Sequence, residues 1–154
     1  MDSVKSEPLL DFIMPFPYWE SKGKRQLISL NNTHRWFRYG QTKIKNGYKD
    51  LLKEFYIPTP STKYDSLMIE YEVQRHNKRR VDAMNIVAFA DKWFLDSLTE
   101  TGWLSDDDNC YHMITPARYT PNITETQLRV IVRCRDDKLH ETNKQHCSIT
   151  QTSN

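Results

Sequence analysis

Glycine is scarce in this chain: only four of the 154 residues are glycines, and none of them are grouped. A glycine-rich loop that cradles the phosphates of a nucleotide is therefore absent. No serine lies in a G-x-S-x-G setting, so the nucleophile turn of the α/β-hydrolases has no support either. These absences argue against nucleotide-driven motors, kinases and hydrolases of that class, and they predict that no nucleotide cofactor is bound.

Cysteine and long apolar runs are also in short supply. The three cysteines form an odd and sparse set, which argues against a disulfide framework and fits a reducing cytoplasm. No apolar run approaches the roughly 20 residues of a membrane span. The N-terminal residues MDSVKSEP lack the basic-then-apolar order of a signal peptide. The sequence therefore predicts a soluble protein of the cytoplasm with no membrane partner.

Length and composition limit the domain organisation. A chain of 154 residues is large enough for one core but not for two. After residue 134 the composition turns polar, so residues 1–134 are predicted to form a single domain and residues 135–154 a disordered tail. The net charge of +2 is small, so local clusters of basic residues say more about nucleic acid than the total charge does.

Periodicity predicts an α+β fold. Apolar and polar residues alternate over residues 66–74, which is typical of a strand with one buried face. Asn32 or Thr33 can cap a helix over about residues 34–56, which two prolines end. The predicted elements are a strand within residues 9–19, the helix 34–56, the strand 66–74, a helix beginning after Asp82, and a C-terminal hairpin of strands 111–115 and 127–135. We expect a small mixed sheet with two main helices, in the order β-α-β-α-β-β.

The helix that begins after Asp82 is the most informative segment. At about 100° per residue, its polar side chains fall in one narrow stripe and most of the remaining circumference is apolar. The stripe consists of Asn85, Lys92, Asp96 and Thr99. A helix that is apolar nearly all round must be covered on most sides, which predicts a second copy packed against it in a homodimer. Asp91 lies inside the apolar arc, where an unpaired carboxylate is costly, so it needs a nearby cation or donor, or an interface.

Asp82 allows two interpretations that are compatible with each other. As the residue before the helix, it can cap the free N–H groups of the first turn. It can also be a metal ligand, with its charge held at the positive helix end and balanced by Lys78, Arg79 and Arg80. The acidic cluster Asp106–Asp108 follows the helix. Alone it is typical of a solvated turn, but together with Asp82 and the arginines it indicates a magnesium site beside a phosphate.

The segment from Asp82 to Asn109 resembles the core of the RusA family of Holliday junction resolvases, particularly its bacteriophage members. The resemblance is carried by DAMN from Asp82, DKWFLDSL from Asp91 and GWLSDDDN from Gly102. It extends weakly upstream to ISLNNTHRWFR, from Ile28 to Arg38, and downstream to the C-terminal hairpin, and so covers roughly residues 9–134. It implies a homodimeric, RusA-like fold and magnesium-dependent hydrolysis of phosphodiester bonds, with Mn²⁺ able to replace Mg²⁺. It also implies a role in DNA recombination and repair, in a bacterium or a phage-infected host cell.

The resemblance assigns roles to individual residues. Asp82 matches the first catalytic, metal-binding acid, Asp107 matches the late one with Asp106 directly beside it, and Lys92 matches the catalytic-site lysine. The founding members have an acid where this chain has Met84, and a thioether cannot bind a hard cation well. The third metal ligand is therefore open among Asp106, Asp108, Glu70 and Glu72.

Basic residues interleaved with aromatic ones indicate a candidate DNA surface. The residues predicted to contact phosphates are Arg75, Lys78, Arg79, Arg80, Arg35 and Lys43. An ordinary solvated helix face explains Arg35 and Lys43 equally well. With the resemblance, the sequence predicts a magnesium-dependent, structure-selective endonuclease that resolves Holliday junctions and other branched DNA. The alternatives are a non-catalytic DNA-binding protein on a resolvase scaffold, which Met84 favours, and a dimeric interaction protein with an acidic surface turn.

Overall fold

A computed structural model of the protein describes residues 7–32, 40–105, 110–135 and 149–150. Its strands are β1 (Leu10–Met14), β2 (Tyr18–Ser21), β3 (Lys24–Leu27), β4 (Lys63–Tyr64), β5 (Leu67–Arg75), β6 (Tyr111–Tyr119), β7 (Gln127–Cys134) and β8 (Ile149–Thr150). Its helices are α1 (Gln41–Phe55) and α2 (Ala83–Glu100), and a short 3-10 helix covers Leu30–Asn32.

Four strands form the central sheet, in the order β1-β7-β5-β6. β7 runs antiparallel to both β1 and β5, whereas β6 runs parallel to β5, so the sheet is mixed. The predicted α+β class with a mixed sheet and two main helices is confirmed. The predicted C-terminal hairpin is wrong, because β5 pairs with β6 on one side and with β7 on the other and so separates them.

Both helices pack on the same face of this sheet. The ring of Phe12 in β1 lies 6.0 Å from the ring of Phe94 in α2 and 6.0 Å from that of Tyr56, which follows α1. On the same face of the sheet, two strands away from β1, Tyr71 of β5 is hydrogen-bonded to Asp91 of α2. The hydrophobic core therefore lies between the sheet and the two helices.

α2 is buried by its own chain. Most of its apolar circumference is inaccessible, through Ile86, Val87, Ala90, Trp93, Phe94, Leu95 and Leu98. Met84 in the first turn is the exception, with 67% of its surface exposed. The apolar circumference that predicted a homodimer is thus covered within one chain, so the homodimer stays a prediction without that argument.

The β5–α2–β6 unit determines which residues can meet. Because β6 runs parallel to β5, α2 must carry the chain back along the sheet. Asp82 therefore lies at the end of the sheet where β5 ends, which we call the upper end. The C-terminus of α2 lies at the opposite, lower end, where the N–H of Tyr64 in β4 donates to the backbone oxygen of Trp103 (2.9 Å).

The N-terminal region differs from its prediction. β1 ends at Met14, before prolines that lack an N–H donor for the sheet. The chain then forms a β2–β3 hairpin whose two turn residues, Lys22 and Gly23, have φ values of 51° and 72°. Positive φ at both positions matches the twist of a tight hairpin. The predicted helix 34–56 corresponds to α1, and residues 33–39 lie outside the described part of the chain.

Three further observations bear on the predictions for the whole chain. Ile149–Thr150 pairs antiparallel with β4, but most of the tail lies outside the described residues, so the domain boundary at residue 134 stays a prediction. Cys134 is disulfide-bonded, which the sparse cysteine set argued against, whereas Cys110 is not in a disulfide. Neither described helix has the length and apolar character needed to cross a membrane.

Candidate nucleic-acid interface

α2 begins at an aspartate cap. The Oδ1 atom of Asp82 accepts hydrogen bonds from the backbone N–H groups of Met84 (3.1 Å) and Asn85 (3.5 Å). Its Oδ2 atom accepts one from the side-chain amide of Asn85 (2.8 Å). Free N–H groups of the first turn are thereby satisfied, which confirms the capping interpretation. Asp82 remains exposed to solvent, so its carboxylate is still accessible to a cation.

The chain between β5 and this cap forms an ordered basic loop, which we define as residues 75–80. The Nη1 atom of Arg75 donates to the backbone oxygens of Lys78 (3.3 Å) and Arg79 (2.7 Å). The N–H of Arg79 donates to Oδ1 of Asn77 (3.0 Å), which forms an Asx turn. Arg75 therefore shapes the loop with part of its guanidinium, and its predicted phosphate contact stays a prediction.

The outer cations of the basic loop lack an acidic partner within the described ranges. Lys78, Arg79 and Arg80 are all exposed. The ammonium of Lys78 lies 5.9 Å from the centre of the Tyr119 ring, which is a cation–π contact and leaves its charge uncompensated. These three cations are available to a phosphate backbone.

The lysines along α1 are arranged differently. Lys45 forms an ion pair with Asp96 of α2 (3.2 Å), and Lys49 and Lys53 both pair with Glu100. Lys49 is nearly buried, so its charge belongs to the contact between the helices. Much of the basic character of this helix is therefore used to hold α1 against α2.

A groove of about 520 Å³ lies between the basic loop and β6. Arg80 and Asp82 line one side, and residues 114–117 of β6 line the other. An anion that contacts Arg80 therefore lies near the Asp82 carboxylate. That carboxylate repels the anion unless a cation lies between them.

Lys92 lies far from Asp82. Ten residues of helix separate the two, which corresponds to about 15 Å along the helix axis at about 1.5 Å per residue. Lys92 is exposed, but one phosphate cannot contact both residues of the same chain. Lys43 also lies away from the basic loop, because α1 packs beside the lower half of α2, where Lys45 pairs with Asp96.

Arg35 and the acidic segment Asp106–Asp108 lie outside the described residues. The residues on either side of the acidic segment are placed at the lower end of the sheet. Ser105 is hydrogen-bonded to β4, and Tyr111 is the first residue of β6, level with the start of β5. Asp82 is at the upper end, so the structure does not place the flanks of the acidic segment beside Asp82.

The alternative metal ligands Glu70 and Glu72 lie on the face of the sheet opposite the helices. They alternate with Tyr71, which faces α2, so they point away from the helices. Glu70 pairs with Arg133 (3.2 Å), and Glu72 pairs with two further arginines of the sheet. Neither glutamate can complete a metal site with Asp82.

The residues that the structure describes do not form a complete magnesium site. In ranges 7–32, 40–105 and 110–135, no three His, Cys, Asp or Glu side chains are grouped so that they could hold a metal ion. Asp82 is a single carboxylate, and it is already engaged as a helix cap. The described residues therefore do not fit Mg²⁺ without further acids, for which Asp106 and Asp107 remain the predicted source.

Asp91 has the donors that the sequence requires. Its Oδ1 atom accepts a hydrogen bond from the Tyr71 hydroxyl (2.5 Å) and lies 2.8 Å from Nδ1 of His112. The hydrogen bond to Asp91 raises the pKa of His112 above its ordinary value of 6.5, although burial opposes the shift. Burial and the Asp91 charge raise the pKa of Tyr71, so this hydroxyl stays a donor. The expectation is confirmed, and the cluster joins α2 to β5 and β6.

The β2–β3 hairpin is a part of this surface that sequence reasoning did not identify as an element, although its Lys-Gly turn was an available signal. The guanidinium of Arg25 lies 3.8 Å from the centre of the Tyr18 ring and pairs with Glu125 (3.0 Å). The next residue, Thr126, is 2.9 Å from His76 of the basic loop. The hairpin and the basic loop therefore contact the same short stretch between β6 and β7.

No family model and no curated protein matches this chain. The resemblance to the RusA resolvases therefore rests on the sequence alone, mainly on the central segment 82–109, of which the structure describes 82–105.

Proposed function

We propose that this protein binds branched DNA through the basic loop and acts on it as a magnesium-dependent endonuclease that resolves Holliday junctions. One observation carries the DNA-binding part: three exposed cations, residues 78–80, stand on an ordered loop and have no acidic partner among the described residues. Phosphate contacts supply much of DNA affinity, and they position a duplex without reading its sequence. Such contacts suit a protein that selects the shape of its DNA.

The catalytic part of the proposal is supported by the resemblance and by the position of Asp82 beside the basic loop. It requires more carboxylates near Asp82, because one is too few for a magnesium site held by the protein. Asp106 and Asp107 of a second copy in the homodimer are the candidates, because the flanks of these residues in the same chain lie at the lower end of the sheet. A homodimer also matches a four-way junction, since both have two-fold symmetry.

A second candidate function is DNA binding without cleavage. The specific observation that favours it is the separation of the predicted catalytic residues: Lys92 lies about 15 Å along the helix from Asp82. Met84, which replaces an acid of the founding members, is exposed and cannot serve a hard cation. On this reading the basic loop binds the backbone and Asp82 is a helix cap.

A labelled four-way junction and a linear duplex of matched sequence distinguish the two candidates. We expect wild type to nick the junction symmetrically in Mg²⁺, and Asp82→Asn and Asp107→Asn to lose cleavage while keeping junction binding. Binding without cleavage in both Mg²⁺ and Mn²⁺ selects the second candidate. If wild type binds neither DNA, or if Arg79→Ala/Arg80→Ala binds as tightly as wild type, the proposed role of the basic loop is wrong.

A further inference from the structure

A second groove, of about 620 Å³, lies between the β2–β3 hairpin and α1. Tyr18, Trp19 and Tyr48 contribute aromatic side chains to its lining, and Arg25 and Lys43 contribute positive charge. Glu20 adds a carboxylate, which accepts hydrogen bonds and offsets part of this positive charge. A ligand that suits this lining is flat and aromatic, and it carries an anionic group.

Gly47 opens this groove from the side of α1. Glycine weakens a helix interior relative to alanine, and the local structure does not require it here. Gly47 lies in the middle of α1, its φ is not positive, and an added Cβ atom meets nothing within 4 Å. The missing side chain leaves the helix backbone bare where it lines the groove. The structural effect of a glycine at position 47 is therefore the open space beside the helix.

The groove is connected to the basic loop. Arg25 lines the groove and pairs with Glu125, while Thr126 contacts His76 in the basic loop. Residues 125 and 126 are consecutive, so their Cα atoms are about 3.8 Å apart. The Arg25 side of the groove and the His76 end of the basic loop are therefore joined through the stretch 125–126.

We infer that this groove binds an unpaired nucleobase of a DNA strand whose phosphates lie on the basic loop. The base lies flat against Gly47 beside Tyr18, with Arg25 and Lys43 within reach of its phosphate. Glu20 is available to accept a hydrogen bond from an amino group of the base. Stacking on aromatic side chains tolerates every base, because every base has a π face. The inference rests on the proposed DNA binding and adds a single-strand site to it, suited to flaps, gaps and incompletely paired branch points.

Two DNA probes and two leucine variants test the site. One probe is a fully paired four-way junction, and the other is the same junction with one unpaired 2-aminopurine nucleotide at the branch point. Gly47→Leu fills the groove, and since nothing lies within 4 Å of the added Cβ and leucine favours helix, the variant is expected to fold. Asn46→Leu is the matched control, because it adds the same side chain to α1 at an exposed position outside the groove lining.

For wild type and Asn46→Leu, we expect quenching of 2-aminopurine fluorescence on binding and tighter binding of the probe with the unpaired base. For Gly47→Leu we expect no quenching and at least about a fivefold loss of affinity for that probe, the effect of one stacking contact. Its affinity for the fully paired junction stays as in wild type. Unchanged quenching in Gly47→Leu overturns the groove as the base site while leaving the proposed function intact. Failure of wild type to bind either junction overturns both.

Discussion

Tyr71→Phe tests the buried cluster around Asp91 through a single hydroxyl. Tyr71 is completely buried, and its hydroxyl donates to the Asp91 carboxylate. Phenylalanine keeps the ring and removes only this donor. Because the acceptor is charged, the hydrogen bond is expected to contribute about 1.5–3 kcal/mol to the free energy of unfolding.

Tyr48→Phe is the matched control for this prediction. Tyr48 is also buried, with 6% of its surface exposed, but its hydroxyl donates to a neutral acceptor, the backbone oxygen of Pro15 (2.7 Å). A neutral hydrogen bond contributes about 0.5–1.5 kcal/mol. The Tyr71 variant should therefore lose roughly twice as much stability as the Tyr48 variant.

Urea unfolding of both variants and wild type near neutral pH measures the difference. We expect the m-value to be unchanged and the midpoint to fall in both variants, with the larger fall for Tyr71→Phe. Equal losses, or a larger loss for Tyr48→Phe, would refute the conclusion that the charge of Asp91 makes the Tyr71 contact the stronger one.

Two further predictions concern His112 and Asp82. Because folding raises the pKa of His112, its protonated form stabilises the fold; this contribution is complete below its unfolded pKa near 6.5 and is lost as the pH rises through the folded pKa. In urea unfolding from about pH 6 to about pH 9, wild type should therefore lose its stability advantage over His112→Gln, and a constant advantage would contradict this sign. Asp82→Ala should lower the free energy of unfolding by about 1 kcal/mol, whereas Asp82→Asn, an equally good cap, should lower it by only a few tenths. Equal thermal destabilisation by the two Asp82 variants would show that capping is not the main stabilising contribution of this residue.

Local patterns predicted the parts of the fold that depend on neighbouring residues. Asp82 followed by an apolar helical period is a local signal, and α2 begins at Ala83, directly after Asp82. The need of Asp91 for a donor was also predictable from its own helix. The identity of the donors was not, because Tyr71 and His112 lie 20 and 21 residues away and meet Asp91 only through the sheet.

In two places, contacts between distant parts of the chain overrode the prediction made from local sequence patterns. β6 and β7 are consecutive in the chain, which favoured a hairpin. In the structure, each of them pairs with β5 instead, over many residues. α2 is apolar on most sides, which favoured a second copy, but the sheet and α1 cover it within one chain. Which strand lies between two others, and which faces of a helix are covered, depend on tertiary packing that periodicity does not report.

The candidate site was predictable as a sequence cluster but not as a geometry. The basic loop adjoins Asp82 in the sequence, so their proximity in the structure was expected. Lys92 lies on the same polar stripe of the helix as Asn85. The rise of the helix nevertheless places Lys92 about 15 Å along the axis from Asp82. The flanks of Asp106–Asp108 lie at the lower end of the sheet because β6 runs parallel to β5, a topology that the spacing of the acids does not reveal.

The affinity of a fully paired four-way junction for Arg80→Ala and for Lys92→Ala, measured over a range of salt concentrations, tests the DNA-binding claim most directly. Each variant removes one exposed positive charge, but only Arg80 belongs to the basic loop. The account predicts that Arg80→Ala weakens binding and reduces the slope of log K against log salt by about 0.9, while Lys92→Ala behaves as wild type. An unchanged slope in Arg80→Ala, or an equal loss in Lys92→Ala, would contradict the assignment of the DNA backbone to the basic loop.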